Sequence, residues 1–187
     1  NWNAQAAITA ESFDTPAKMG NLLIFAPEGT GCTYEGNVVI NGMAEKISLT
    51  HGKGFRSPQA FKAKDITYKR NFSMKSGNKI NAAGWEAIVL PFDVQSFSNE
   101  KQGELAPFNS GKKGAKPFWL AQMTTDGFEH TTAMKANKPY IISLPNSESY
   151  EDEFNISGEV QFHAEDAGGV EVKATSYKEL ARIEGSN

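Results

Sequence analysis

The chain has almost no cysteine, few histidines, no long apolar run and no excess of basic charge, and each lack removes a class of function. Cys32 is the single cysteine, which excludes an intrachain disulfide framework and a cysteine-based zinc cluster. The three histidines, His51, His130 and His163, stand in separate segments without metal-ligand spacing. Lys plus Arg number 19 against 22 for Asp plus Glu, and the basic residues are scattered, so no nucleic-acid partner is expected. No stretch approaches the ~20 apolar residues of a membrane helix. A nucleophile elbow, a phosphate-binding loop and a dinucleotide fingerprint are all missing. No catalytic residue and no cofactor is therefore expected. The first residue is Asn1 rather than methionine, and the expectation is that an upstream segment has been removed. A signal peptide or lipid anchor could have stood there, the one membrane link expected for this chain.

What is present is a succession of short strand patterns. Twelve Phe, five Tyr and three Trp among 187 residues supply large apolar areas, enough for one domain over residues 1 to 187. Val38-Val39-Ile40 and Ala44 to Leu49 flank Asn41-Gly42, the strongest short hairpin signal, because both residues tolerate positive φ. Ile66, Tyr68, Arg70 and Phe72 alternate with Thr67, Lys69 and Asn71, which puts Arg70 on an apolar face and demands a partner for it. Trp85 to Val94 is apolar on both alternating faces and reads as an interior strand, with pairing ended at Pro91.

Residues 96 to 116 turn polar and read as a long loop. Pro117 to Met123 and Phe128 to Met134 are strand-like around a Thr125-Asp126-Gly127 turn, and Pro139 to Leu144 is a buried-type strand. Val160 to Ala164 and Val170 to Ala174 read as a hairpin through Asp166-Ala167-Gly168-Gly169, and Tyr177 to Ile183 as one or two helical turns. The whole predicts an all-β fold, an antiparallel β-sandwich of Ig-like or jelly-roll-like kind, with long polar loops and little helix.

The order of certain strings carries a resemblance. Val38 through Gly52 is followed by Phe55, Pro58 and Phe61-Lys62-Ala63-Lys64. Then come Thr67 to Phe72, Trp85 through Leu90-Pro91-Phe92, and Ala136-Asn137-Lys138-Pro139-Tyr140-Ile141-Ile142. In combination these resemble an all-β module found near the C-terminal ends of secreted and surface proteins of Bacteroides-type gut bacteria. The resemblance spans about residues 37 to 164, with residues 1 to 36 as lead-in strands outside it. It implies export to the cell surface or beyond and no assigned catalytic activity. It supplies no site residues. His51 departs from its pattern, in which Asp is common.

Two candidate sites remain. Glu148, Glu151, Asp152 and Glu153 gather hard oxygen donors in one loop, as calcium binding needs, though without the spacing of a dedicated calcium loop. Trp119 and Tyr150 could instead form an exposed aromatic platform for a sugar ring. Against this, Phe118 and Leu120 on one face and Trp119 and Met123 on the other suggest burial of Trp119 on a doubly covered strand. The leading expectation is a non-enzymatic exported interaction or adhesion module with an unknown protein or glycan partner. The alternative is a carbohydrate-binding module attached to a glycan-processing protein. A third reading, catalysis by paired carboxylates, needs two acids facing across a cleft.

Overall fold

The computed structural model describes residues 7–8, 20–28, 33–34, 36–76 and 84–175. Among these residues it is all-β, with no helix and so none long and apolar enough to cross a membrane. Cys32 and the expected helical turns at 177 to 183 lie outside the described residues.

The strands are β1 (Ala7–Ile8), β2 (Leu23–Ala26), β3 (Thr33–Tyr34), β4 (Asn37–Ile40), β5 (Met43–Thr50), β6 (Phe61–Asn71) and β7 (Glu86–Ile88). There follow β8 (Ser96–Asn99), β9 (Gly103–Pro107), β10 (Lys116–Thr124), β11 (Gly127–His130), β12 (Tyr140–Ser143) and β13 (Glu159–Val172). β1 and β3 pair on their own, and the other 11 strands form one sheet. Its order is β2-β4-β5-β6-β13-β8-β9-β10-β12-β7, with β11 hydrogen-bonded to β10.

The sheet is mixed rather than antiparallel: β2–β4, β5–β6 and β9–β10 run parallel. Alternation of apolar and polar residues sets which face a side chain takes, not the direction of the neighbouring strand, so the sequence pattern could not distinguish the two.

The Asn41-Gly42 hairpin forms as expected. Both residues have positive φ, 50° and 78°, and Ile40 pairs with Met43 across the turn. Beyond that pair, buried amides stand in for strand bonds. Asn37 Oδ1 accepts from Ser48 N at 2.7 Å while its Nδ2 donates to Ser48 O at 3.1 Å. Asn21 binds Thr50 N and Thr50 O in the same way at 2.8 and 2.9 Å. Each satisfies backbone groups whose burial unpaired costs about 1–3 kcal/mol.

The core is organised by one cross-strand row. Leu49 pairs with Tyr68, Tyr68 with Phe162, Phe162 with Phe97 and Phe97 with Leu105. Rings along it meet edge to face, with centroids 5.7 Å apart for Tyr68–Phe162 and 5.5 Å for Phe97–Phe162. Such pairs add about 0.5–1.5 kcal/mol each beyond area burial. Phe118 on β10 closes on Phe97 at 5.0 Å. The buried cluster built on this row extends to Ile88, Leu90, Phe92, Tyr140 and Ile142.

Three expectations are corrected. Trp85 to Val94 is not an interior strand: only Glu86–Ile88 is strand, it ends the sheet, and it pairs with β12 alone. Trp85 is half-buried, and Val89 is 38% exposed. The apolar character of the stretch instead comes from Leu90, Pro91 and Phe92, buried in irregular chain. That chain is held by bonds from Asn137 N to Leu90 O and from Lys173 N to Pro91 O, at 2.7 and 3.0 Å.

Residues 96 to 116 are not one loop, because β8 and β9 run through residues 96–107. Finally, residues 159 to 172 are one strand, not a hairpin. Glu165 pairs with Asp65 and Val170 with Ala63 on the same strand β6, so residues 166–169 bulge out opposite Lys64. Gly169, at φ 88°, passes so close to Lys62 that a Cβ would lie 2.7 Å from the lysine's Cβ. A strand resumed after a bulge shows the same alternation as the two arms of a hairpin.

Arg70 finds the partner its position demands, and the partner comes from the far end of the sheet. Its Nη1 donates to Ala87 O at 2.7 Å, its Nη2 pairs with Glu86, and its guanidinium lies 4.6 Å from the Phe72 ring centroid. Glu86 Oε1 also accepts from Ser73 N and Met74 N, both at 2.7 Å. β6 and β7 are separated by five strands in the sheet order, so this clasp curls the sheet back on itself.

Burial raises the Glu86 carboxyl, but the Met74 N–H, the Arg70 guanidinium and the Ser73 N–H together hold it below the ordinary carboxylate value. Asp93 is likewise raised by burial and brought lower overall by Lys135 and the Ala136 N–H. His51 is lowered by burial and by Arg70. In each case the folded-state value is depressed, so the stabilisation is complete above the unfolded value and is lost as pH falls through the folded one. The expected outcome is a urea midpoint that declines gently below about pH 6.5 and steeply below about pH 4.5. Glu86→Gln lowers the plateau and flattens the steep limb, which urea titrations between pH 3 and 8 check.

Candidate functional site

The site begins with the alternation on β10. Phe118 and Leu120 point into the core, 2% and 1% exposed, and the intervening Pro117 and Trp119 take the opposite face. Trp119 is half-buried and Met123 is 47% exposed. Trp119 is therefore only partly covered, not the core residue expected, while Ala121 on the same face is buried, 3% exposed. Parallel pairing of Phe118 with Pro107, extended by a bond from Phe108 N to Phe118 O at 2.7 Å, brings Phe108 alongside.

The second wall is the loop from Pro145 to Ile156, whose ends are pinned together by Ile156 N donating to Pro145 O at 2.7 Å. Inside it, Phe154 N and Asn155 N both donate to Glu151 O, at 2.9 and 3.1 Å. From outside, Gln102 Nε2 donates to Asp152 O at 2.9 Å and to Asn155 O at 2.8 Å. Gln102 is aimed by buried Asn99, whose Oδ1 accepts from Lys101 N and Gln102 N and whose Nδ2 donates to Ser157 O and Glu159 O. A compact loop with joined ends and its own internal bonds is the kind of surface loop that often carries function. Gln102→Ala is expected to speed amide exchange at Phe154 and Asn155 while β6 and β13 keep their protection, as hydrogen-exchange mass spectrometry reads.

These two walls bring Trp119 and Tyr150 together, ring centroids 6.3 Å apart and planes 57° from parallel. With Phe108, Pro117, Pro145 and Phe154 they line an open groove of about 330 Å³ that has Glu151 on its wall. Phe108 and Phe154 are 54% and 38% exposed. Lys116 crosses the edge, its Nζ 5.1 Å from the Phe154 ring centroid and 3.5 Å from Glu153.

The sequence reading missed Phe108 and Phe154. The signal available for Phe154 was its spacing of four from Tyr150 in an acidic loop; Phe108, inside a Gly- and Lys-rich turn, was the other large aromatic in polar surroundings.

The four carboxylates Glu148, Glu151, Asp152 and Glu153 do not converge. All are exposed, Glu153 turns to Lys116, and among the described residues no group of three His, Cys, Asp or Glu is placed to hold a metal ion. His51 contacts Tyr68 through Nδ1 at 2.8 Å, and His163 Nε2 lies 3.3 Å from Asp65. His130 lies near Trp85, ring centroids 6.3 Å apart and planes tilted by 48°. No protein-family model, curated protein or solved structure matches the chain.

Proposed function

We propose that the chain is a non-enzymatic glycan-binding module. The observation that carries this reading is the Trp119–Tyr150 groove: two half-buried rings beside the exposed Phe108 and Phe154, apolar walls and Glu151 at the edge, held by a pre-bonded loop. A pyranose ring has an apolar C–H face that packs on an aromatic ring and hydroxyls at its edge that seek hydrogen bonds, and the groove offers both kinds of partner. The gain on binding is greater because the loop is already ordered. A protein-adhesion surface, the leading expectation from sequence, is favoured less, since this concave site suits a ring better than a broad protein patch.

The proposal places the module outside a bacterial cell or on its surface, supported by the resemblance of residues 37 to 164 to secreted gut-bacterial modules. It takes the curled mixed sheet as a two-layer sandwich, supported by one apolar cluster fed from both ends of the sheet. The test is a glycan array with the purified protein. Binding to at least one neutral glycan, abolished by Tyr150→Ala, is expected. Silence across the array, or turnover of a substrate at a mutation-sensitive rate, overturns the reading.

A further inference from the structure

The groove does not end at Trp119. Residues paired across an antiparallel ladder share a face, and Trp119 pairs with Ser143, Ala121 with both Ile141 and His130, Met123 with Phe128 and Ile141 with Ala87. The outward face of β7, β12, β10 and β11 is thus the face that carries Trp119, with Ser143 and Ala121 buried beside it, 1% and 3% exposed. No lysine, arginine or carboxylate stands at those paired positions. Two residues along β10 from Trp119, about 6.6 Å on, a second hollow of about 520 Å³ opens. Its floor is Ala121 and Ile141, and Trp85, His130 and Phe128 rise around it, Phe128 being 56% exposed. Ala121, small between Trp119 and the Trp85–Phe128 group, leaves a shelf on which a flat chain can lie.

Resting on the glycan-binding reading, we infer that the two hollows are successive subsites for one unbranched, uncharged oligosaccharide. The chain lies along the β10 face from Tyr150 and Trp119 to Trp85 and Phe128. Two observations commit the second hollow to this occupant. It lies on the same sheet face two residues along β10 from Trp119, and its lining of Trp85, Ala121, Phe128, His130 and Ile141 carries no lysine, arginine or carboxylate to meet a charged chain. Glu151 stands on the wall of the first hollow, in a loop that also exposes Glu148, Asp152 and Glu153, against Lys116, which faces Glu153. Uronic or sialylated chains meet repulsion there. Phe128 pairs with Met123, four residues along β10 from Trp119 and so about 13 Å on, which is longer than two pyranose units, so a chain that reaches both aromatic groups needs roughly three rings or more.

The experiment is isothermal titration of the whole chain with neutral gluco-, manno- and xylo-oligosaccharides from one to six units, repeated for Trp85→Ala, Phe128→Ser and Trp119→Ala. Affinity is expected to climb with length beyond two units. Phe128→Ser and Trp85→Ala lower hexasaccharide affinity about tenfold and leave disaccharide affinity unchanged, whereas Trp119→Ala lowers both. Phe128→Ser keeps the test alive if Trp85→Ala fails to fold, because Phe128 is largely exposed. Binding without length dependence, or equal losses for short and long chains in the Phe128 variant, overturns the two-subsite arrangement and leaves the Trp119 groove standing. Absence of binding at every length removes the glycan reading and this inference with it. A dimer by sedimentation that Phe128→Ser dissociates makes the face a contact between two copies and also overturns the inference.

Discussion

Arg70→Met is expected to cost about 3–5 kcal/mol of stability, the range seen when one partner of a buried ion pair is removed. The Arg70 and Glu86 side chains are 8% and 10% exposed, so loss of the guanidinium strands Glu86 in a poorly hydrated site. The Ala87 carbonyl loses its donor at the same time. The geometry argues against the usual rescue, in which both charges are replaced by apolar groups with little net loss. Glu86 also accepts the Ser73 and Met74 N–H groups, which belong to exposed residues, so Arg70→Met combined with Glu86→Leu turns those two donors over to water while the Ala87 carbonyl still lacks its guanidinium donor. The double variant is expected to lie below wild type but above Arg70→Met, because no unpaired carboxylate is left behind. Arg70→Lys keeps charge but cannot reach both Glu86 and Ala87 O with one ammonium, and falls between. Urea denaturation at pH 7 measures all three. If Arg70→Met loses less than about 1 kcal/mol, the clasp is not what holds β7 against β6.

Trp119→Ala is expected to lower glycan affinity by about 30-fold or more, since aromatic anchors at the centre of a site cost at least about 2 kcal/mol when truncated. Trp119 is half-buried and meets Tyr150 at the groove. Its removal is therefore expected to cost less stability than the about 3–5 kcal/mol typical of a fully buried aromatic. That separation of effects distinguishes a binding residue from a core residue. Titration of the array-selected glycan and a thermal melt, on the same preparation, check it.

The strands were legible where local chemistry is decisive. Asn41-Gly42 forces positive φ twice, and alternation around Arg70 placed that side chain on the apolar face before its partner was known. The errors share a cause. Trp85 to Val94 carries the hydrophobicity of an interior strand, but Leu90 and Phe92 bury themselves from irregular chain, because Pro91 has no N–H to offer a ladder. The stretch at 166 to 169 has the composition of a turn, and only the registers of Glu165 and Val170 on one partner strand reveal a bulge. Strand direction, which makes the sheet mixed, leaves no trace in residue alternation.

The site was half legible. Trp119 and Tyr150 were identifiable as exposed-aromatic candidates, yet nothing local says that residues 31 apart in sequence meet. Their meeting depends on Asn99 and Gln102, two polar residues of an ordinary-looking turn that anchor the loop from another strand pair. Glu151 was named for calcium, and the structure places it on the groove wall instead.

The most direct measurement of the central claim is titration of the best array glycan into wild-type protein and into Trp119→Ala, with melting curves alongside. The account predicts saturable one-site binding for the wild type and an affinity loss of about 30-fold for the variant, with cooperative unfolding retained. Wild-type affinity in a folded Trp119→Ala protein would contradict it.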